Sequence, residues 1–278
     1  MIKPTLDDFM KQAVDYCYTE PQQYYFRGSS LPYCAVRDAL HQCQSSIKAQ
    51  PVRRTQLKQQ YTMDIGTLVH KHIQRILGAQ GRLFGKWECQ VCGAKTTEPS
   101  VGPFACCGRP CDYVELRVSH PSGFGGTVDA LIPYKEGFIL GDFKTKEKKK
   151  FPDIPFNKNY RSQVFAYKYV LSRPPYNYPI LGQALIYIAR DDISKFEIQE
   201  MENDDFADSE FEFYVKQKAT VEPALQTGNM DALIGYCSTP SDDQYCPYSS
   251  ICFSSGKSIN LRKEWERSVY NASSHPKS

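Results

Sequence analysis

The chain has 278 residues, 41% of them apolar, enough to bury a core as one large domain or two smaller ones. Lysine and arginine total 34 against 31 for aspartate and glutamate, so the formal net charge of +3 does not advertise a nucleic-acid-binding domain, and any such charge must be local. Eleven cysteines, clustered in CxxC-like groups, point to metal binding in a reducing compartment rather than to disulfides.

The opening MIKPTLDDFMKQAVDY lacks the charged start and apolar run of a signal peptide, and no apolar stretch approaches bilayer length. This predicts a cytoplasmic protein, of a bacterial, archaeal or virus-infected cell, with no membrane partner. Thr5 and Asp8 resemble a capping box, and Leu6, Phe9, Met10, Ala13, Val14 and Cys17 follow at helical spacing. Residues 27–43 begin with turn formers and then read as a second helix, with Cys34 near its start and Cys43 further along.

Over residues 61–78, Ile65, Leu68, Val69, Ile73, Ile76 and Leu77 recur at helical intervals, and Gly78 is a plausible stop. On a helical wheel His72 falls inside the arc of Ile65, Val69 and Ile76 and reads as a packed core histidine, while His70 lies at the arc's edge. Residues 86–111 break all periodicity and carry five cysteines. Cys89-Gln90-Val91-Cys92-Gly93, followed by Cys106, Cys107 and Cys111, reads as a zinc ribbon. Cys107 and Cys111 are the expected second pair, with Cys106 able to replace Cys107. Lys86, Trp87 and Arg109 are available to stack on and contact nucleic acid, the alternative being an insert that only stabilises itself.

Three strand-like segments follow, 113–118, 126–132 and 137–144, expected at the centre of a mixed sheet. Glu115 reads as a solvent-facing strand position, the alternative being an additional metal-site carboxylate. A helix at about 158–171, strands at 181–190 and 195–201 joined by an Asp-Asp turn, and a long helix at about 205–227 complete the pattern, with a polar tail beyond Cys252. The run Lys144 to Lys150, KTKEKKK, is a solvated loop or a phosphate-facing patch.

On the strand GFILGDFK, Asp142 and Lys144 project to one face and Phe143 to the other, and a short turn would bring Asp129 alongside. Two carboxylates converging in this way suit Mg²⁺ or Mn²⁺, with the lysine beside an activated water. An ordinary surface ion pair has the same spacing.

Asp129 with Gly141-Asp142-Phe143-Lys144-Thr145 resembles the D…(D/E)xK signature of the PD-(D/E)xK nucleases. Gly66-Thr67-Leu68-Val69-His70 is similar to the histidine motif of the RecB-like branch, and Gln163 and Tyr167 match its QxxxY helix. Cys34, with Cys237, Cys246 and Cys252 near the end, resembles the [4Fe-4S] ligand set of the branch's CRISPR-associated exonucleases. The Cys237 to Cys246 spacing is longer than the family's. Four thiolates suit a cubane or a tetrahedral zinc equally. A cluster there would close a loop of roughly 220 residues.

The resemblance implies an α/β fold with a restriction-endonuclease-like central mixed sheet flanked by helices. It divides the chain into a helical part (1–85), a zinc-ribbon insert (86–112), a nuclease core with its Fe–S segment (113–253) and a tail (254–278). It implies a Mg²⁺- or Mn²⁺-dependent deoxyribonuclease acting on single-stranded DNA or DNA ends in recombination, repair or replication, alongside other proteins of those processes. His70, Asp129, Asp142 and the carbonyl of Phe143 would hold the metal, Lys144 would position water, and Gln163 and Tyr167 would hold the strand. The alternatives are a non-catalytic DNA-binding scaffold and an Fe–S regulator on the same fold.

Overall fold

The protein is described by a computed structural model at residues 17–21, 26–27, 52–155, 157–202 and 205–227. The helix expected from Thr5 lies outside these residues except at Cys17, which begins a strand. The helix expected at 27–43, except Arg27, which ends a two-residue strand, the cysteines Cys34, Cys43, Cys237, Cys246 and Cys252, and the tail also fall outside them. The chain forms two compact units interleaved in sequence, one of Met1–Phe26, Ser30–Tyr61 and Glu212–Ser278, the other of Arg27–Ser29 and Thr62–Phe211. In the first, β1 (Cys17–Pro21) pairs antiparallel with β2 (Val52–Gln56), Cys17 opposite Gln56.

The second unit takes all but the start of α1 (Leu57–Ala79). Gly66, Gln74 and Gly78 are buried on this helix and His70, Ile73 and Leu77 half-buried, whereas Leu68 and Ile76 are exposed. His72 is exposed as well, which corrects the expectation that it packs in the core. The packed face is marked by glycines, to which a count of apolar side chains is blind. A Cβ on Gly66 would stand 3.1 Å from Thr145 Oγ1, and one on Gly78 3.1 Å from the Trp87 ring. Close approach along this line turns His70, four residues after Gly66, inward.

β3 (Phe84–Glu88) pairs antiparallel with β4 (Asp112–Val114), Lys86 opposite Val114, and the cysteine-rich segment hangs between them. Trp87 is 1% exposed, its indole N–H donates to the Ser100 carbonyl at 3.1 Å, and its ring stacks on Phe104. The expectation that Trp87 stacks on nucleic acid is thereby overturned: a side chain this large is better satisfied as the apolar anchor of the insert.

β5 (Leu116–Ser119) and β6 (Phe124–Val128) form an antiparallel hairpin with Leu116 opposite Val128. β7 (Ala130–Tyr134), β8 (Gly137–Lys146), β9 (Ile180–Ala189) and β10 (Asp192–Met201) form a four-stranded sheet in that order. Pairing is antiparallel, parallel and antiparallel across it, so the fold is mixed α/β. The parallel step from β8 to β9 is made through α2 (Lys158–Leu171), as a parallel connection requires. Asn157 caps α2, its side-chain oxygen accepting from the N–H groups of Asn159 and Tyr160 at 2.9 and 3.3 Å. Residues 140–143 of β8 are all buried, as befits a strand covered on both faces. Leu83, Trp87, Ala130, Phe143 and Ile188 form a core cluster against which Val69, Ile73 and Leu77 of α1 pack. α3 (Asp205–Thr227) begins in this unit, with Phe211 against Phe124 and Tyr169.

The segment expected at 113–118 is not one strand in this sheet. It breaks at Glu115, as the next segment breaks at Asp129, and the β5–β6 register places the two breaks opposite one another. Among the described residues no helix is long and apolar enough to cross a membrane.

Candidate active site

The site is assembled around the two strand breaks. Ala130 pairs with Gly141, which sets Asp129 at the start of β7 beside Asp142 on β8. Asp129 Oδ2 accepts the Phe143 N–H at 2.8 Å. Lys144 Nζ lies 2.5 Å from Asp142 Oδ2, and side-chain exposures of 18% and 5% place this pair inside the protein rather than on its surface. The same ammonium sits 4.6 Å over the Tyr160 ring. The ammonium is thus held between the Asp142 carboxylate and an aromatic ring of α2.

His70 brings Nδ1 to 3.7 Å from Asp129 Oδ2, its ring edge-on to Phe143. Burial, and then the charge of Lys144, push its pKa down to about 4, so at neutral pH the imidazole is uncharged and keeps a lone pair.

Glu115, expected to face solvent, is instead half-buried at its strand break. The amide of Gln74, itself 4% exposed, donates to Glu115 Oε1 at 3.0 Å and to the Asp129 carbonyl at 2.9 Å. The donor on α1 satisfies the backbone oxygen that the break releases and turns a third carboxylate toward the other two. This favours the alternative reading of Glu115 as a further carboxylate of the site, which the apolar pattern of YVELRV does not itself indicate.

Three carboxylates are therefore near enough to act on one another, with Lys144 paired to Asp142. Burial, then the charge of Asp142, push the Asp129 carboxyl up to about 8, with Lys144 opposing. Burial likewise pushes Asp142 up, against the nearby ammonium. Tyr167 on α2 is buried 5.8 Å from Phe124, ring to ring, and the charges of Asp142, Asp129 and Glu115 add to burial in raising its pKa, while a hydrogen bond with Gln163 lowers it. A Cβ at Gly126 would stand 2.3 Å from the Tyr167 hydroxyl, so this glycine makes room for the ring. The structure thus brings together His70, Asp129, Asp142, Lys144 and Tyr167, with Gln163 one helical turn before the tyrosine.

In the cysteine-rich segment the sulfurs of Cys89, Cys92, Cys106 and Cys107 all lie within 4.8 Å of one another, a group that could hold a metal ion. Sγ of Cys106 is 3.7 Å from that of Cys92 and 3.8 Å from that of Cys107. Gly93 and Gly108 adopt φ of +70° at the two turns, which glycine does without strain. Backbone N–H groups of Cys92 and Val91 pull the Cys89 thiol down to about 6, and hydrogen bonding with Cys92 first pushes Cys106 up to about 12. The group differs from the expected set in one member, Cys106 standing where Cys111 was expected. Cys111 packs against the core cluster around Leu83 and Trp87, yet burial and then its neighbour Cys89 raise its pKa, so it borders the group through Cys89.

The family described as the PD-(D/E)XK nuclease superfamily matches residues 104–253, more than half of the chain. No curated protein matches. Among solved structures, the chain is similar to SSO0001 (16% identity, TM-score 0.39, covering 91% of this chain and 96% of that one). It is also similar to an alkaline exonuclease from Laribacter hongkongensis (14% identity, TM-score 0.41, covering 74% of this chain and 92% of that one).

Proposed function

Because the chain belongs to the PD-(D/E)XK nuclease superfamily, we propose that it is a metal-dependent deoxyribonuclease whose centre is Asp129, Asp142 and Lys144. The observation that carries this reading is the charge imbalance of the site. Asp129, Asp142 and Glu115 act on one another, Asp129 and Asp142 are deeply buried, and among the described residues Lys144 is the one ammonium paired within the set, which favours a further cation if all three are ionised.

Its donors are carboxylate oxygens with one neutral imidazole, which suits Mg²⁺ or Mn²⁺ better than a soft metal. His70, Asp129, Asp142 and the Phe143 carbonyl would hold the ion, which when bound neutralises charge on a phosphodiester and acidifies water. Lys144, fixed by Asp142 and Tyr160, orients the attacking water and stabilises charge on the phosphate. The Phe143 N–H holds Asp129 in place, and Gln74 holds Glu115. Gln163 and Tyr167 bind the strand from α2.

The substrate in this reading is single-stranded DNA or DNA ends in recombination, repair or replication. The ribbon thiols would hold Zn²⁺. A tetrahedral ion with Zn–S bonds of about 2.3 Å separates its sulfurs by about 3.8 Å, and the 3.7 and 3.8 Å spacings fit one ion better than a cubane. Cys34, Cys237, Cys246 and Cys252 would hold a [4Fe-4S] cluster, a proposal that rests on the sequence resemblance.

The test is degradation of end-labelled linear and circular single-stranded DNA by anaerobically purified protein with Mg²⁺ or Mn²⁺. Wild type should cut, and Lys144→Ala and Asp142→Ala should each lose at least about a hundredfold in rate. Survival of the circle identifies an exonuclease. Absence of cutting by protein that retains its iron and zinc overturns the reading.

A further inference from the structure

The run KTKEKKK after the catalytic strand divides into two kinds of lysine. Lys148 Nζ lies 2.7 Å from Asp192 Oδ2, and its backbone N–H donates to Asp191 Oδ1 at 2.7 Å. Lys149 pairs with Glu147 at 3.0 Å, and Glu147 also pairs with Arg190. These contacts, with buried Phe151, fix the path of the segment against β10. Lys146 and Lys150 have no carboxylate partner among the described residues. Both line a cleft of about 260 Å³, together with Lys149, Asp153, Ile154 and Pro155. One wall is pinned where Gln199 Nε2 donates to the Ile154 carbonyl at 3.1 Å.

The cleft's position follows from the strand. β8 is regular from Ile139 to Lys146, so Asp142, Lys144 and Lys146 alternate onto one face. Lys146 stands two residues past the catalytic lysine, a step of about 6.6 Å along an extended strand, comparable to the step between neighbouring phosphates of a nucleic-acid strand. A phosphate held at Lys144 would thus have its neighbour within reach of Lys146 and Lys150.

We propose that the cleft between Lys146 and Lys150 is a phosphate-binding subsite that takes the backbone phosphate next to the scissile one. The inference rests on the nuclease reading above. The subsite would read no base and would fix the strand's path across the site, since phosphate contacts position rather than specify. The one carboxylate in the lining, Asp153, leaves the cleft with a net positive charge.

The test is fluorescence anisotropy of a labelled single-stranded oligonucleotide in Ca²⁺ over a salt series, with a gel confirming that the strand stays intact. Lys146→Gln/Lys150→Gln is compared with Lys135→Gln/Lys95→Gln, which removes the same charge from the turn before β8 and from a lysine already paired with Glu88, both outside the cleft. The proposal expects the slope of log affinity against log salt to become shallower by about 1.4 in the first variant, about 0.7 for each phosphate-facing charge, and to stay near wild type in the second. Lys146→Arg/Lys150→Arg should restore the wild-type slope. Equal loss in both glutamine variants, or none in the first, overturns the subsite. A wild type that binds but never cuts in Mg²⁺ or Mn²⁺ sinks the nuclease reading instead, and one that cuts while the first variant keeps the full slope sinks the subsite alone.

Discussion

The side-chain amide of Gln74 reaches across from α1 to Glu115 Oε1 at 3.0 Å while holding the carbonyl of Asp129 at 2.9 Å, and so ties the helix to both strand breaks that shape the site. Replacing it by leucine leaves a buried carbonyl and a carboxylate without their donor, at a cost of about 1–3 kcal/mol. Gln74→Leu should therefore lower the urea midpoint without changing the slope of the transition, and should weaken Mn²⁺ binding in calorimetry. Unchanged stability would show that the contact is incidental.

The carboxyls also predict a pH dependence. Asp129 is raised from an ordinary 3.8 to about 8, and Asp142 is raised as well. In metal-free protein the native state thus binds more protons than the unfolded chain across that window. The Asp129 contribution to stability is complete below about 4 and is lost as pH rises through about 8, and Asp142 acts in the same sense. His70 acts in the opposite sense: lowered from 6.5 to about 4, it contributes stability above 6.5 that is lost as pH falls through 4. Cation binding must displace the carboxyl protons, so Mn²⁺ affinity should increase from pH 6 to pH 8 with proton release, read by calorimetry in buffers of different ionisation enthalpy. Equal affinity at both values, without proton release, counts against the paired-carboxylate site.

Gly126 gives room to Tyr167. A methyl group there would meet the tyrosine hydroxyl at 2.3 Å and ring carbons at 2.9 and 3.0 Å. Gly126→Ala should destabilise by about 1–3 kcal/mol through overpacking and should slow cleavage by displacing the ring. Adding Tyr167→Phe removes the nearest clash but not the others, so the double variant should recover part of the thermal midpoint. A melting temperature for Gly126→Ala equal to wild type would contradict this packing.

The thiols offer a choice between two ligand sets. With Cys89, Cys92, Cys106 and Cys107 as ligands, elemental analysis should find zinc retained in Cys111→Ser and lost in Cys106→Ser. The reverse pattern would restore Cys107 with Cys111 as the second pair. Zinc removal at low pH should also unfold the insert, because a bound ion contributes its binding energy to folding.

Much of this was legible in the sequence, because it is local. Alternation on GFILGDFK put Asp142 and Lys144 on one face, a short turn put Asp129 next to them, and helical spacing located α1 and α2. CxxC spacing marked the insert in the same way, since ligands on one short turn have little freedom in where they fall. What tertiary structure alone decided depends on contacts between segments distant in the chain. His72, unlike the motif histidine His70, faces solvent because Gly66 lets α1 approach Thr145 along the other line, and a missing side chain leaves no trace in an apolar pattern. Glu115 turns into the site because a glutamine 41 residues earlier supplies its donor. Trp87 is withdrawn from the surface by a core assembled from separate stretches of chain. Close packing selects among faces that sequence periodicity leaves nearly equivalent, and it acts only once the fold has brought those stretches together.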